Sequence, residues 1–177
     1  MERIADYMGL TAPPLASCRL HVSYAKLPGV AALEKKFLSK ESIFVLFDGR
    51  TWERHSSCAK IDQTPGERDF LVAEIPAEFL GKRIDTIEEA LAEHFDRLGY
   101  HFAIETEAVE FGHAQPELQH TNWICALGSS ALNDYGGRCV TMLRARVRVR
   151  ILRDCWVGYG LGDNVRLLLV RNEALAL

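Results

Sequence analysis

The chain has 177 residues, of which 48% are hydrophobic and 25% charged, with a formal net charge of −3. That length and balance suit one globular domain over residues 1–177 and exclude disordered, collagen-like and membrane-spanning classes. The mild acidity argues against a generally basic nucleic-acid binder, yet from Arg138 onward eight arginines face three acids, a net of +5 that leaves −8 on the first 137 residues.

The N-terminal MERIADYMGLTAPPLASC lacks a basic segment followed by an apolar one, so no secretory signal is expected. No segment approaches the roughly 20 apolar residues of a membrane helix. A cytoplasmic protein without membrane contact is the expectation. Cys18, Cys58, Cys125, Cys139 and Cys155 are odd in number, dispersed and without a C-x-x-C pair, which reads as free thiols.

A short helix over Glu2–Met8 and a break at Pro13-Pro14 leave residues 1–15 as a possible arm. Cys18–Ala25 alternates as a strand and stops before Pro28-Gly29, after which Val30, Leu33, Phe37 and Leu38 recur at helical spacing. The unbroken apolar run Ser42–Phe47 predicts a strand buried on both faces at the centre of a sheet. Residues 50–68 lack periodicity and contain Thr64-Pro65-Gly66, so they form a long excursion of the kind that often carries function. Asp69–Ile75 returns as a strand.

The clearest helix starts at Asp85, expected to cap it with Glu88 reaching back. Ile87, Ala90, Leu91, Phe95 and Leu98 make its apolar stripe, Glu93 and Arg97 pair on the wet side, and Gly99 ends it. Tyr100–Ile104 reads as a short strand. Thr106, among Glu105, Glu107 and Glu110, caps a second helix that Pro116 ends. Asn122–Leu127 is a strand and 128–137 a turn-rich connection. From Arg138 to Leu152 the alternation is strict and predicts one long strand, and two further strands, 156–162 and 164–171, complete a C-terminal block.

In that long strand Arg144, Arg146, Arg148 and Arg150 share one face, about 6.6 Å apart in a row about 20 Å long. Such a row needs anions: acids of the same fold, a protein partner or second copy, or phosphates of a nucleic acid. With Trp156 and Tyr159 it forms the candidate anion- or partner-binding surface. His21-Val22-Ser23 and His55-Ser56-Ser57 fit the H-x-S element and resemble the paired motifs of two-histidine phosphoesterases, making His21 and His55 the candidate catalytic residues. His94 reads as a core histidine on its helix. His113 and His120, near Glu110 and Glu117, are candidate metal ligands, although their spacing is generic. Gly158, Gly160 and Gly162 lie in strand-like sequence, not between a strand and a helix, so no dinucleotide loop and no cofactor is implied.

The order GYHFAIETEAVEFGHAQPELQ, NWICALGSS, a glycine-flanked strand, a tryptophan segment and NVRLLLVRN over residues 99–177 resembles uncharacterised bacterial proteins with an ALGS segment and a closing F-L-x-V-R strand. More distantly, GYHFAIETEAVEF is similar to the Arg-Leu-Pro-Thr-Glu-x-Glu helix region of C-type-lectin-like sulfatase-modifying domains, with Ala103-Ile104 where that family has Leu-Pro. The resemblance implies a compact C-terminal sheet used for binding and no catalytic residue.

The expectation is therefore an α+β fold: a mostly antiparallel sheet, two or three helices on one face, and the last three strands in a meander. A ferredoxin-like half over 18–104 followed by the meander is the alternative. The leading functional expectation is a non-enzymatic binding protein for a protein partner or a second copy of itself, a homodimer being plausible. A small hydrolase or phosphate-handling enzyme and a nucleic-acid-binding protein are the alternatives.

Overall fold

The computed structural model describes residues 14–24, 42–45, 51–59, 61–146 and 149–172, with the backbone alone at 42–45, 146, 149–152 and 154. The expected helices at Glu2–Met8 and Val30–Leu38 lie outside these residues, as do most of the N-terminal arm and Arg148. The strands are β1 (Ala16–Val22), β2 (Ser42–Val45), β3 (Glu53–Arg54), β4 (Gly66–Glu74), β5 (Tyr100–Phe102), β6 (Trp123–Leu132), β7 (Arg138–Arg146), β8 (Val149–Trp156) and β9 (Val165–Arg171). The helices are α1 (Ile84–Asp96), α2 (Glu105–Ala114) and the single turn α3 (Leu118–Thr121).

All nine strands belong to one mixed, mostly antiparallel sheet in the order β1-β4-β9-β6-β7-β8-β2, with β3 added on β6 and β5 on β9. The fold class is α+β. The helices, expected on one face, divide between two. Successive strand residues point to opposite sides, so Leu71, Leu167, Leu169, Cys125 and Met142 meet Ile87, Leu91 and Phe95 of α1 on one side. On the other, Phe70, Val72, Leu168, Ile124 and Leu143 meet Ala108, Val109 and Phe111 of α2.

The centre of the sheet is taken by a different apolar run from the one expected there. Leu167–Val170 of β9 is wholly buried and sits between β4 and β6, antiparallel to the first and parallel to the second. A run that is apolar on both faces needs cover on both, and the middle of the sheet supplies it. The Ser42 run, expected there, is β2, last in the strand order and parallel to β8. The meander consequently comprises β6, β7 and β8, not the last three strands. The ferredoxin-like alternative is not followed, because β4 lies between β1 and the C-terminal β9.

The predicted long strand at 138–152 is a hairpin. β7 and β8 pair antiparallel from Cys139↔Trp156 to Arg146↔Val149. Strict alternation marks strands but says nothing about where a chain turns back, and Arg-Val-Arg-Val carries no turn residue to show it. At the other end, β6 continues through 128–132, expected to be loop, across a bulge between Ala126 and Ser130. Gly128 makes this possible: a Cβ there would stand 2.4 Å from the Phe102 carbonyl oxygen and 2.7 Å from that of Ala103.

Both helix starts differ from expectation. Arg83 precedes α1 without capping it by side chain, and its Nη2 instead binds Asp85 Oδ2 at 2.5 Å. Glu88 pairs with Arg138 of β7, and Arg97 Nε donates to the Glu93 backbone oxygen, not its carboxylate. At α2 the cap is Glu107, whose Oε2 accepts from Ile104 N at 2.8 Å, while Ser129 Oγ accepts from Glu105 N at 3.0 Å. Gly99 has φ +82°, the left-handed terminator the sequence indicates. No helix among the described residues is long and apolar enough to cross a membrane.

Candidate binding site

Beside the start of α1 a cavity opens over the sheet face formed by β6, β7 and β8. Its floor follows from register: Cys125 opposes Met142, and Met142 opposes Arg153. Trp123, Arg144 and Cys155 extend the same face by alternation. The wall is the connection from Val157 to Asn164, expected to be a strand. It is fastened to the chain leading into α1 through Gly81 N to Leu161 O (2.8 Å), Leu161 N to Lys82 O (3.0 Å) and Asp85 N to Val157 O (3.2 Å). Gly160 is required here, since a Cβ would lie 2.8 Å from the Gly81 carbonyl oxygen. Between floor and wall is a cavity of about 520 Å³, within the range of small-molecule sites.

Among the described residues, three aromatic rings, two guanidinium groups and two side-chain amides line it. Arg144, only 8% exposed, stacks its guanidinium over Trp123 at 5.1 Å from the ring centroid. Trp156 and Tyr159 form an edge-to-face pair at 5.5 Å and remain 46% and 62% exposed. Gly158 lets the indole fold back over the chain, because a Cβ there would meet the Trp156 ring at 2.6 Å. Asn133 and Asn164 supply the amides. In the floor, the neighbouring Cys155 thiol and complete burial hold Cys125 well above the ordinary thiol value.

The structure thus brings together Arg144, Trp156 and Tyr159 and divides the rest of the arginine row. Register places Arg150 opposite Ala145 and not in line with Arg144, the side chain of Arg146 lies outside the described residues, and the second cation of the cavity is Arg153. Arg153 and Trp123 were missed because each counts only once the hairpin is known: Met142 links Arg153 to the β6 face across two strand pairings.

The histidines stay apart from this site. His21 is an exposed residue of β1, its Nδ1 3.5 Å from Glu67. His55 caps a short 3-10 turn (Ser56–Cys58), with its Nδ1 2.7 Å from Ser57 Oγ and its ring edge-on to Phe102 at 5.8 Å. His94 packs edge-on against Phe95 at 5.0 Å. His113 and His120 are exposed on α2 and α3, which Pro116 separates, and no three His, Cys, Asp or Glu side chains converge as a metal site among the described residues. The 50–68 excursion contributes β3 and the 3-10 turn but no lining residue.

A second polar cluster lies at the far side of the sheet, near β1, β4 and β5. Tyr24, at φ +47°, donates from its hydroxyl to Glu107 Oε1 at 2.6 Å and accepts from Arg68 Nε at 3.0 Å. Arg68 spends its other nitrogens on the carbonyls of Asp62, Thr64 and Glu67. His101 Nε2 is 3.8 Å from Glu107 Oε1 and its Nδ1 2.8 Å from Asn172 Oδ1. Burial, then the Glu107 carboxylate, push the Tyr24 hydroxyl up from its ordinary value. Arg54 meets the buried Glu105 beside it. No known protein family, curated protein or solved structure matches the chain.

Proposed function

We propose that the chain is a non-enzymatic binding protein for a small organic anion with a planar apolar body, taken into the cavity over β6, β7 and β8. The observation that carries this reading is the composition of the described lining: Arg144 and Arg153 with Trp123, Trp156 and Tyr159. Guanidinium forks suit carboxylate or phosphate, the ring faces suit a planar body, and an enclosed site strengthens the charge interaction over its value in water. The test is calorimetric titration with naphthoate and naphthyl phosphate against neutral naphthamide. The anions bind at least about tenfold more tightly than the amide, a margin of about 1.4 kcal/mol, and Arg153→Gln removes the margin. Equal binding of amide and acid, or no binding of either anion, contradicts the reading.

A nucleic-acid reading draws on one observation, the exposure of Trp156 and Tyr159 beside arginines, which would suit stacked bases of a single strand. Salt-sensitive polarisation of a labelled oligonucleotide, competed by naphthoate, would favour it. The hydrolase reading lacks a constellation to support it, since neither His21 nor His55 lines the cavity.

A further inference from the structure

Two H-x-S triplets occur in the chain, His21-Val22-Ser23 and His55-Ser56-Ser57, and the backbone gives them different geometry. The first lies at the end of β1, where His21 turns to Glu67 with its Nδ1 3.5 Å from the carboxylate. The second enters the 3-10 turn Ser56–Cys58, which folds the Ser57 hydroxyl back to within 2.7 Å of His55 Nδ1. The imidazole is held from several sides. His55 N donates to the Gly128 carbonyl oxygen at 3.0 Å, the ring stands edge-on to Phe102 at 5.8 Å, and its Nε2 lies 3.4 Å from Oε1 of Glu89 on α1. The His55 side chain is only 7% exposed, whereas Ser57 is open to solvent.

These contacts fix the tautomer of the ring. A backbone N–H can only donate, and that of Ser57 points at His55 Nδ1 from 3.2 Å. This nitrogen therefore presents a lone pair, and the one proton of the neutral ring sits on Nε2, the atom facing Glu89. A hydroxyl 2.7 Å from a bare ring nitrogen donates to it. The outcome is the alignment that activates an alcohol: the hydroxyl proton is aimed at a base, and the far side of the base is oriented by a carboxylate.

We propose that Ser57 is a nucleophilic serine that takes an acyl group from small activated esters, with His55 as its base and Glu89 as the residue that positions the ring. Ser57 Oγ attacks the acyl carbonyl carbon while its proton passes to His55 Nδ1. The tetrahedral adduct then collapses with cleavage of the bond to the leaving oxygen, which receives that proton. One ester forms on Ser57, one alcohol departs, and the imidazole returns to its neutral form without redox change. None of the three residues lines the cavity over β6, β7 and β8, so the donor reacts from solution and the acylated chain is the product: the site is one of covalent modification. The inference goes beyond the organic-anion reading and does not depend on it, since that reading uses none of these groups.

The test is incubation of the full chain with 4-nitrophenyl acetate, followed by nitrophenol release and by mass mapping of the acetyl group. Nitrophenol appears in a burst and the acetyl ester maps to Ser57. Ser57→Ala abolishes the burst, and His21→Gln leaves it unchanged. His55→Gln, which keeps an oxygen to cap the turn but supplies no base, slows it by at least about a hundredfold, the scale of general-base assistance. Long-range proton–nitrogen NMR of the unmodified chain, which needs no variant to fold, shows His55 with its proton on Nε2, and Glu89→Gln both slows the burst and raises the share of the Nδ1–H form. A proton on Nδ1 in the unmodified chain, acetylation that spares Ser57, or a burst untouched by His55→Gln overturns the proposal. If Ser57 is acylated while naphthoate fails to bind, only the anion reading falls; if naphthoate binds while Ser57 stays unmodified, only this inference does.

Discussion

The two polar regions of the sheet are built from similar residues and differ in what surrounds their arginines. Around Glu107 the groups meet inside the chain: Tyr24 and Ile104 N donate to the carboxylate, His101 stands 3.8 Å from it, and Arg68 donates to Tyr24 and three carbonyls. Around the cavity Arg144 stacks over Trp123, and Arg153, Trp156 and Tyr159 border open volume. The first region is packed within the fold, and the second is where a ligand has room.

The comparison is broken most forcefully at Glu107. Glu107→Ala strips a partner from Tyr24, His101 and the start of α2 and should cost about 3–5 kcal/mol of stability in chemical denaturation, while the protein still folded binds naphthoate with unchanged affinity. A loss of affinity matching the loss of stability would mean that the two regions are one system. Gly128→Ala drives a methyl into the Phe102 carbonyl and should destabilise by about 3 kcal/mol in the same assay. A cost below about 1 kcal/mol would show that β5 can move away from the bulge.

Arg153→Gln inverts the pattern: stability changes by no more than about 1 kcal/mol, whereas the margin between naphthoate and naphthamide in calorimetry falls about tenfold. The smallest effect is expected at the exposed edge. Arg19 holds Asp69 below the ordinary carboxylate value. A lowered carboxylate adds stability above its ordinary range and loses it as pH falls through the folded value. Asp69→Asn should cost under about 1 kcal/mol near neutrality, in keeping with an exposed pair, and the difference from wild type should vanish in acid denaturation.

What the sequence discloses is local, and what it conceals is mostly register. The stripe of α1, its glycine terminator and the strands at β1, β4 and β9 are written in periodicities a few residues long. The place of β9 is not, because Leu-Leu-Leu-Val is as apolar as Ile-Phe-Val-Leu-Phe, and only pairing decides which run takes the centre. The arginine row shows the same limit. Its residues and period were legible, yet the pairing of β7 with β8 removes Arg150 from the line of Arg144 and brings Arg153 to the cavity. Trp156 and Tyr159 were picked out as contact residues from their chemistry, while Trp123 and the sulfur floor depend on strand pairings that no short window contains. The Glu105-Thr106-Glu107 and Ala126-Leu127-Gly128-Ser129 segments meet at the start of α2: Glu107 and Ser129 cap it, and Gly128 admits the carbonyls of Phe102 and Ala103. In this chain that pattern is a fastening of the fold.

The most direct test of an open cavity that selects anions uses its own indoles. Of the three tryptophans, Trp123 and Trp156 line the cavity, whereas Trp52 packs against the core on the opposite face. In a two-dimensional NMR titration with naphthoate, the indole N–H signals of Trp123 and Trp156 should shift together and saturate while that of Trp52 stays in place, and naphthamide should produce no such shift. Movement of Trp52 alone, equal shifts with the amide, or no shift at all would contradict the account.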